Sequence, residues 1–167
     1  MSWGINMGNS ESQQRLEVIE QALSWIGTPY IHAADVKGAG IDCAMLLVRC
    51  FVDSGILPAF DPRPYPRDWH LHHSEERYLA WLQKSAQEIP FEDKRPGDVL
   101  VYKFGRCYSH GAIFLGGRRL IHACVIDPAC SLGDIFDSRL TCDMFGRLRP
   151  VKVFNVWANT AENRGNI

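Results

Sequence analysis

An aspartate and a cysteine stand side by side, Asp42 and Cys43, at the head of the apolar run CAMLLVRCFV. Two histidines, His110 and His122, stand in β-rich segments far along the chain. These are the residue types of a thiol hydrolase: a sulfur nucleophile, an imidazole to take its proton, and a third polar group to hold the imidazole in the needed tautomer. Cys43 falls in the first turn of the expected helix, with Asp42 as its N-cap. The positive end of the helix dipole and the free backbone N–H groups there favour an anion, so the thiolate pKa is expected to be lowered. Cys50 lies two turns further in, where neither effect reaches. On this local pattern alone, the blander reading of Cys43 as a small buried residue is preferred. For the histidines taken alone, the bland reading is two strand residues with ordinary hydrogen bonds.

The elements that must position these groups follow from periodicity. Residues 1–9 are expected to be a flexible N-terminus. Ser10 opens a helix with Gln13 completing a capping box, and Leu16, Ile19, Leu23 and Ile26 recur at helical spacing until Gly27 stops it. The segment TPYIHAADVKGAG reads as a loop that ends at Asp42. Residues 43–53 are apolar on nearly every side and predict a helix buried all round, ended by Gly55. The proline-rich LPAFDPRPYPRDW must be extended, and Ser74 is expected to cap a third helix to about residue 86, with Tyr78, Leu79 and Leu82 inward. The period then changes to strands: VLVYKF (99–104), HGAIFLG (110–116), RLIHACV (119–125), DIFDS (134–138) and VKVFNVW (151–157). Gly116 and Gly117 join two of them as a tight hairpin. That register sets His110 opposite about residue 123, so the histidines are cross-strand neighbours, with His110 placed to take the thiol proton and His122 to orient it. Helices first and strands after predict an α+β fold, N-terminal helices packed on an antiparallel β-sheet, over a single domain from 10 to 157 with a flexible tail over 158–167.

Composition narrows the function. The 167 residues carry a formal net charge of −1, with 46% hydrophobic and 22% charged residues. No basic surplus points to nucleic acid, and no stretch is long and apolar enough for membrane insertion. The N-terminus lacks a basic start and an apolar core, so it is not read as a secretory signal and synthesis in a cytosol is expected. The six cysteines form no CxxC pair, which argues against a zinc site of the usual spacing; they are expected to be free and mostly buried. His122, Cys124 and Cys130 can be drawn as a ligand set, but free thiols are the favoured reading. His70, His72 and His73 suggest a metal, yet adjacent residues on one short segment do not readily share a coordination sphere without a further ligand. No metal or cofactor is expected.

Five motifs then occur in order: GTPY at 27–30, DCAMLL at 42–47, RPGDVLVY at 95–102, SHGAIFLG at 109–116 and LIHA at 120–123. Together they resemble the NlpC-type family of cell-wall cysteine peptidases, from about residue 16 to 157. The resemblance implies a papain-like fold and hydrolysis of amide bonds in peptidoglycan stem peptides. It implies Cys43 as nucleophile, His110 as base and His122 as orienter, with Tyr30, Asp42 and Ser109 at oxyanion or substrate-binding positions. Tyr30 reads equally well as a packing aromatic. The stretch 67–82, with its proline-rich lead-in, resembles the branch found in phage tail and prophage tail-assembly clusters, which implies phage tail proteins as partners and a virion tail or the cell wall as destination. The chain departs from the family after the cysteine, where Ala44 and Met45 replace small residues. A Met45 facing the core leaves the pocket alone, whereas one facing the cleft reshapes it. Two rival readings stand beside the hydrolase: a papain-like acyltransferase or lipid hydrolase, and a non-catalytic phage tail assembly protein.

Overall fold

The computed structural model describes residues 9–68, 71 and 75–158. Residues 1–8 and 159–167, and with them most of the expected flexible termini, lie outside the described residues, as do Trp69, His70, His72, His73 and Ser74.

Helix α1 (Glu11–Leu23) begins as its sequence requires, with the Ser10 hydroxyl accepting from the Gln13 N–H and the Gln13 side chain accepting from the Ser10 N–H. Its inward face is not the one that Leu16, Leu23 and Ile26 mark out: these are 58%, 43% and 45% exposed. Arg15, Val18, Ala22 and, past the helix, Trp25 turn to the core instead. The reason is a buried charge pair. Arg15 Nη1 donates to Asp98 Oδ1 and to the Pro96 carbonyl, each at 2.8 Å, and the guanidinium lies 4.1 Å from the centroid of the Trp157 ring. A hydropathy pattern counts arginine as outward, but one with a waiting carboxylate can go in.

The expected loop contains a short hairpin, β1 (Asp35–Val36) with β2 (Gly40–Ile41). Helix α2 (Cys43–Asp53) follows, with Asp42 as N-cap, and seven of its residues are buried, Met45 and Leu46 fully. Residues 58–66 run without helix or strand. Helix α3 (Arg77–Ser85) starts later than expected, at an N-cap Glu76 that makes no side-chain cap bond. Tyr78 and Leu79 are buried as predicted, and Leu82 packs partly buried against the same core.

The remaining strands, β3 (Gln87–Ile89), β4 (Val99–Phe104), β5 (Cys107–Gly116), β6 (Arg119–His122), β7 (Ser131–Asp134) and β8 (Val151–Asn155), form one antiparallel sheet in the order β3-β8-β4-β5-β6-β7. The α+β prediction holds. The predicted strand over 134–138 does not: β7 ends at Asp134, and a four-residue helix, α4 (Ser138–Thr141), follows. The Asp134 and Asp137 carboxylates accept from the backbone N–H groups of Phe136 and Arg139, a local bonding that competes with a ladder. Strand β6 likewise stops at His122 rather than Val125.

The two-residue period of the strands sorts their side chains. Val99, Val101, Ile113, Ile121 and Phe154 lie in the core shared with α1, α2 and α3. Leu100, Tyr102, Ala112, Phe114, Leu120 and Val153 form a second core with Ile135 and Leu140. Helix α2 comes so close to β5 that a Cβ at Gly111 would overlap the Tyr78 hydroxyl and Leu47. That approach brings the α2 N-terminus down onto the start of β5.

Candidate active site

Asp42 and Cys43 sit where the sequence puts them. Asp42 Oδ1 accepts from the Met45 N–H at 2.9 Å, closing the first turn of α2. Cys43 follows, partly exposed, in a cleft of about 110 Å³ that it shares with Tyr30, Tyr65, Arg67, His110 and Cys124. Cys50 is fully buried in the core, and burial raises its thiol pKa well above the ordinary value. Among the described residues all six cysteines are free.

One expectation about Cys43 is reversed. Its pKa is pushed up to about 12, first by burial and then by the neighbouring Asp42 carboxylate, with the Gly111 N–H and the Tyr78 hydroxyl acting the other way. Desolvation and a like charge outweigh whatever the helix terminus offers. At rest the sulfur is a neutral thiol, and its S–H donates to the Ser109 carbonyl at 3.5 Å rather than to an imidazole.

The two histidines meet across β5 and β6. His110 Nε2 and His122 Nδ1 are 3.0 Å apart, and both rings are buried. The pairing differs from the expected register: a bulge between Phe114 and Gly116 makes Ile113 face Ile121 and Phe114 face Leu120, so the residues directly opposite are shifted by one. The long side chains still bridge the diagonal. A second irregularity, between Tyr102 and Lys103, leaves Ser109 without a partner in the ladder, immediately before His110.

A third group continues the line. Asp127 Oδ2 lies 3.3 Å from His122 Nε2, and Asp127 Oδ1 accepts from Arg139 Nη1 at 3.2 Å. The carboxylate only accepts, so His122 Nε2 carries the proton of a neutral ring and its Nδ1 is left as an acceptor. His110 Nε2–H then donates to it, which leaves the Nδ1 lone pair of His110 free to accept a proton. Burial, then the neighbouring His122, lowers the His110 pKa well below the ordinary 6.5. Burial also lowers that of His122, with Asp127 opposing. The arrangement is a chain of neutral rings oriented by one carboxylate. Asp127 escaped the sequence reading; the signal available for it was an acid five residues past His122, in a turn before Pro128.

The other predicted site residues divide. Tyr30 lines the cleft half-buried, and burial, then Cys43, raises its phenol pKa, so it is a neutral O–H donor. Asp42 is buried and occupied: besides Met45 it accepts from the Ala33 N–H at 2.7 Å and from the Tyr65 hydroxyl at 2.9 and 3.0 Å. Ser109 lines the cleft, and its hydroxyl donates to the Phe104 carbonyl at 3.3 Å. Met45 is fully enclosed in the core and lines no part of the cleft. The metal donors drawn from sequence regroup: His110, His122 and Cys124 have ligand atoms within 4.8 Å of one another. Cys130 packs in the hydrophobic core.

A model of the NlpC/P60 family matches residues 27–140. The gamma-DL-glutamyl hydrolase of Bacillus subtilis (strain 168) is 26% identical over 110 residues, which is 64% of this chain and 22% of that protein, so the chain spans about a fifth of that relative's length. Among solved structures, the peptidoglycan hydrolase RipB of Mycobacterium tuberculosis superposes with a TM-score of 0.59 at 18% identity, covering 87% of this chain and 65% of that one. The NlpC/p60 domain of the peptidoglycan hydrolase SagA gives 0.55 at 18% identity, covering 83% and 97%. RipD of M. tuberculosis, described as a non-catalytic NlpC/p60 domain protein adapted to peptidoglycan binding, gives 0.53 at 15% identity, covering 86% and 98%. At these identities the likeness establishes the fold. That fold serves both hydrolases and a non-catalytic domain, so activity has to be argued from side chains.

Proposed function

The chain belongs to the NlpC/P60 family, and from that premise we propose that it is a papain-like cysteine hydrolase of amide bonds in peptidoglycan stem peptides, with Cys43 as nucleophile, His110 as base and His122 as orienting residue. The observation that carries this reading is the line Asp127–His122–His110, whose contacts of 3.3 and 3.0 Å end on His110, a ring that lines the cleft holding Cys43. A structural cluster has no need of an imidazole with an unshared lone pair beside a partly exposed thiol.

The chemistry follows from the neutral resting state. The Cys43 S–H turns from the Ser109 carbonyl to His110 Nδ1, which takes the proton as sulfur attacks the amide carbonyl. The Cys43 N–H and the Tyr30 hydroxyl donate to the developing oxyanion. His110, now protonated on both nitrogens, keeps its Nε2–H on His122 and gives the Nδ1 proton to the leaving amine. Water, activated by His110, then hydrolyses the thioester. Arg67 at the cleft edge favours a substrate carrying a carboxylate near the cut bond. Met45 is enclosed in the core and lines no part of the cleft, which supports a peptide rather than an acyl substrate there. The resemblance of residues 67–82 to the tail-associated branch supports a phage or prophage tail as the carrier of this domain.

The test is digestion of purified peptidoglycan and soluble muropeptides, read by mass spectrometry, with wild type beside Cys43→Ala. Products formed by wild type alone would establish the hydrolase, and their masses would name the bond. An inert wild type whose Cys43 also resists alkylation until unfolding would overturn it.

A further inference from the structure

Cys124 has no part in this mechanism, yet it is buried against it. It stands two residues beyond His122, is 3% exposed, and lines the same cleft as Cys43. Its sulfur and the imidazoles of His110 and His122 offer three donor atoms within 4.8 Å of one another. Donors around a tetrahedral zinc stand roughly 3.3–3.6 Å apart, given metal–nitrogen bonds of about 2.0–2.1 Å and metal–sulfur bonds of about 2.3 Å. The two ring nitrogens are already 3.0 Å apart, and the sulfur, within 4.8 Å of them, has up to about 1.2–1.5 Å to close to reach that spacing. The ring beyond is also prepared. His122 Nε2 lies 3.3 Å from Asp127 Oδ2, the carboxylate–histidine pairing that fixes a metal-binding tautomer and raises the basicity of the other nitrogen.

We propose that His110, His122 and Cys124 form an inhibitory site for a thiophilic divalent cation such as Zn²⁺, reached from the cleft and mutually exclusive with catalysis. The exclusion lies in the tautomer of one ring. As a base, His110 holds its proton on Nε2, donates it to His122, and keeps Nδ1 open for the thiol. As a ligand, His110 must give the Nε2 lone pair to the metal, so its single proton sits on Nδ1 and the ring accepts nothing from Cys43. His122 presents the Nδ1 lone pair in both states. Cys124 releases its thiol proton to solvent as the metal–sulfur bond forms. The fourth position opens on the cleft, for water or the Cys43 sulfur. Two imidazoles and a thiolate suit zinc over magnesium or calcium, which prefer oxygen ligands.

The site is tested first without activity, in Cys43→Ser protein, where the nucleophile cannot itself bind metal. Titration with Co²⁺ should give one equivalent bound, with sulfur-to-cobalt charge-transfer absorption in the near ultraviolet. Adding Cys124→Ala should abolish that absorption, and Cys124→Ser, closer in size, should do the same if alanine upsets folding. Asp127→Asn should weaken binding about tenfold or more, as loss of such an outer partner does. No absorption in Cys43→Ser, or equal absorption once Cys124 is removed, would overturn the site. The inhibitory role rests on the hydrolase reading. There, Zn²⁺ should inhibit wild type, and Cys124→Ala, active without metal, should need at least about tenfold more. Equal sensitivity would place the metal on Cys43 alone and defeat the inhibitory role. A protein inert on peptidoglycan whose Cys43 also resists alkylation would fail the hydrolase reading and leave the cobalt result to decide the site.

Discussion

Two buried polar clusters lie on this sheet, and they are built on opposite plans. Where α1 meets the start of β4, Arg15 and Asp98 form a charged pair whose polar atoms are answered on every side. Asp98 is fully buried and accepts from Arg15 Nη1 at 2.8 Å and from the Arg95 N–H at 2.7 Å. Arg15 goes on to Glu11 and to the Pro96 carbonyl. At the far side, Asp127, His122 and His110 also form a line, but it is made of neutral rings and runs out at His110, which lines the cleft. A cluster whose bonds close on themselves holds elements together. One that leaves a lone pair unshared on a ring lining a cleft is suited to accept a proton there.

The comparison can be broken in several ways, of which removal of the proposed nucleophile has the largest expected effect. Cys43→Ala should lower turnover of peptidoglycan fragments by roughly 10⁴–10⁶-fold, as loss of a nucleophile does elsewhere, with the thermal midpoint nearly unchanged. Next comes the closed cluster. Asp98→Ala strands a buried guanidinium and should cost about 3–5 kcal/mol in a urea melt, while the protein that remains folded keeps its kcat. A variant that stays stable but loses kcat would erase the distinction between the two clusters. Asp127→Asn should leave stability within about 1 kcal/mol and lower kcat by up to about a hundredfold, because the orienting contact acts only through ring placement. Unchanged kcat would cut Asp127 out of the line.

The smallest effects are in pH. Both histidines titrate below 6.5 in the folded protein and at about that value unfolded. The unfolded chain therefore binds more protons in the window below 6.5, so their contribution to stability is full above it and declines as the pH falls. Midpoints measured from pH 7.5 to 5 should fall on the acid side, and less so in His122→Gln. The acid limb of kcat/KM should likewise lie below 6.5, since it reports the free base. A limb above 6.5 would mean that His110 is not the depressed ring described here.

Much of this was legible in the residues. The capping box at Ser10, the enclosed helix after Asp42, the strand over 99–104 and the pairing of the two histidines follow from patterns a few residues long. What failed was set by partners distant in sequence. The face of α1 went wrong because a carboxylate some eighty residues on draws Arg15 inward. The strand predicted over 134–138 became a turn and a short helix because two aspartates bond their own backbone. The lowered thiolate pKa of Cys43 was read from the helix terminus alone, and burial beside Asp42 turned it the other way.

The sequence by itself determined the helix start that displays Cys43, the central strands that follow, and the family, because local periodicity and short motifs carry that information. Only the tertiary structure decided which groups share an environment. It put Met45 in the core, set Asp127 behind His122, brought Cys124 beside both rings, and made the resting thiol neutral. Each of these depends on distances and desolvation between segments that the chain keeps far apart, and a linear pattern records neither.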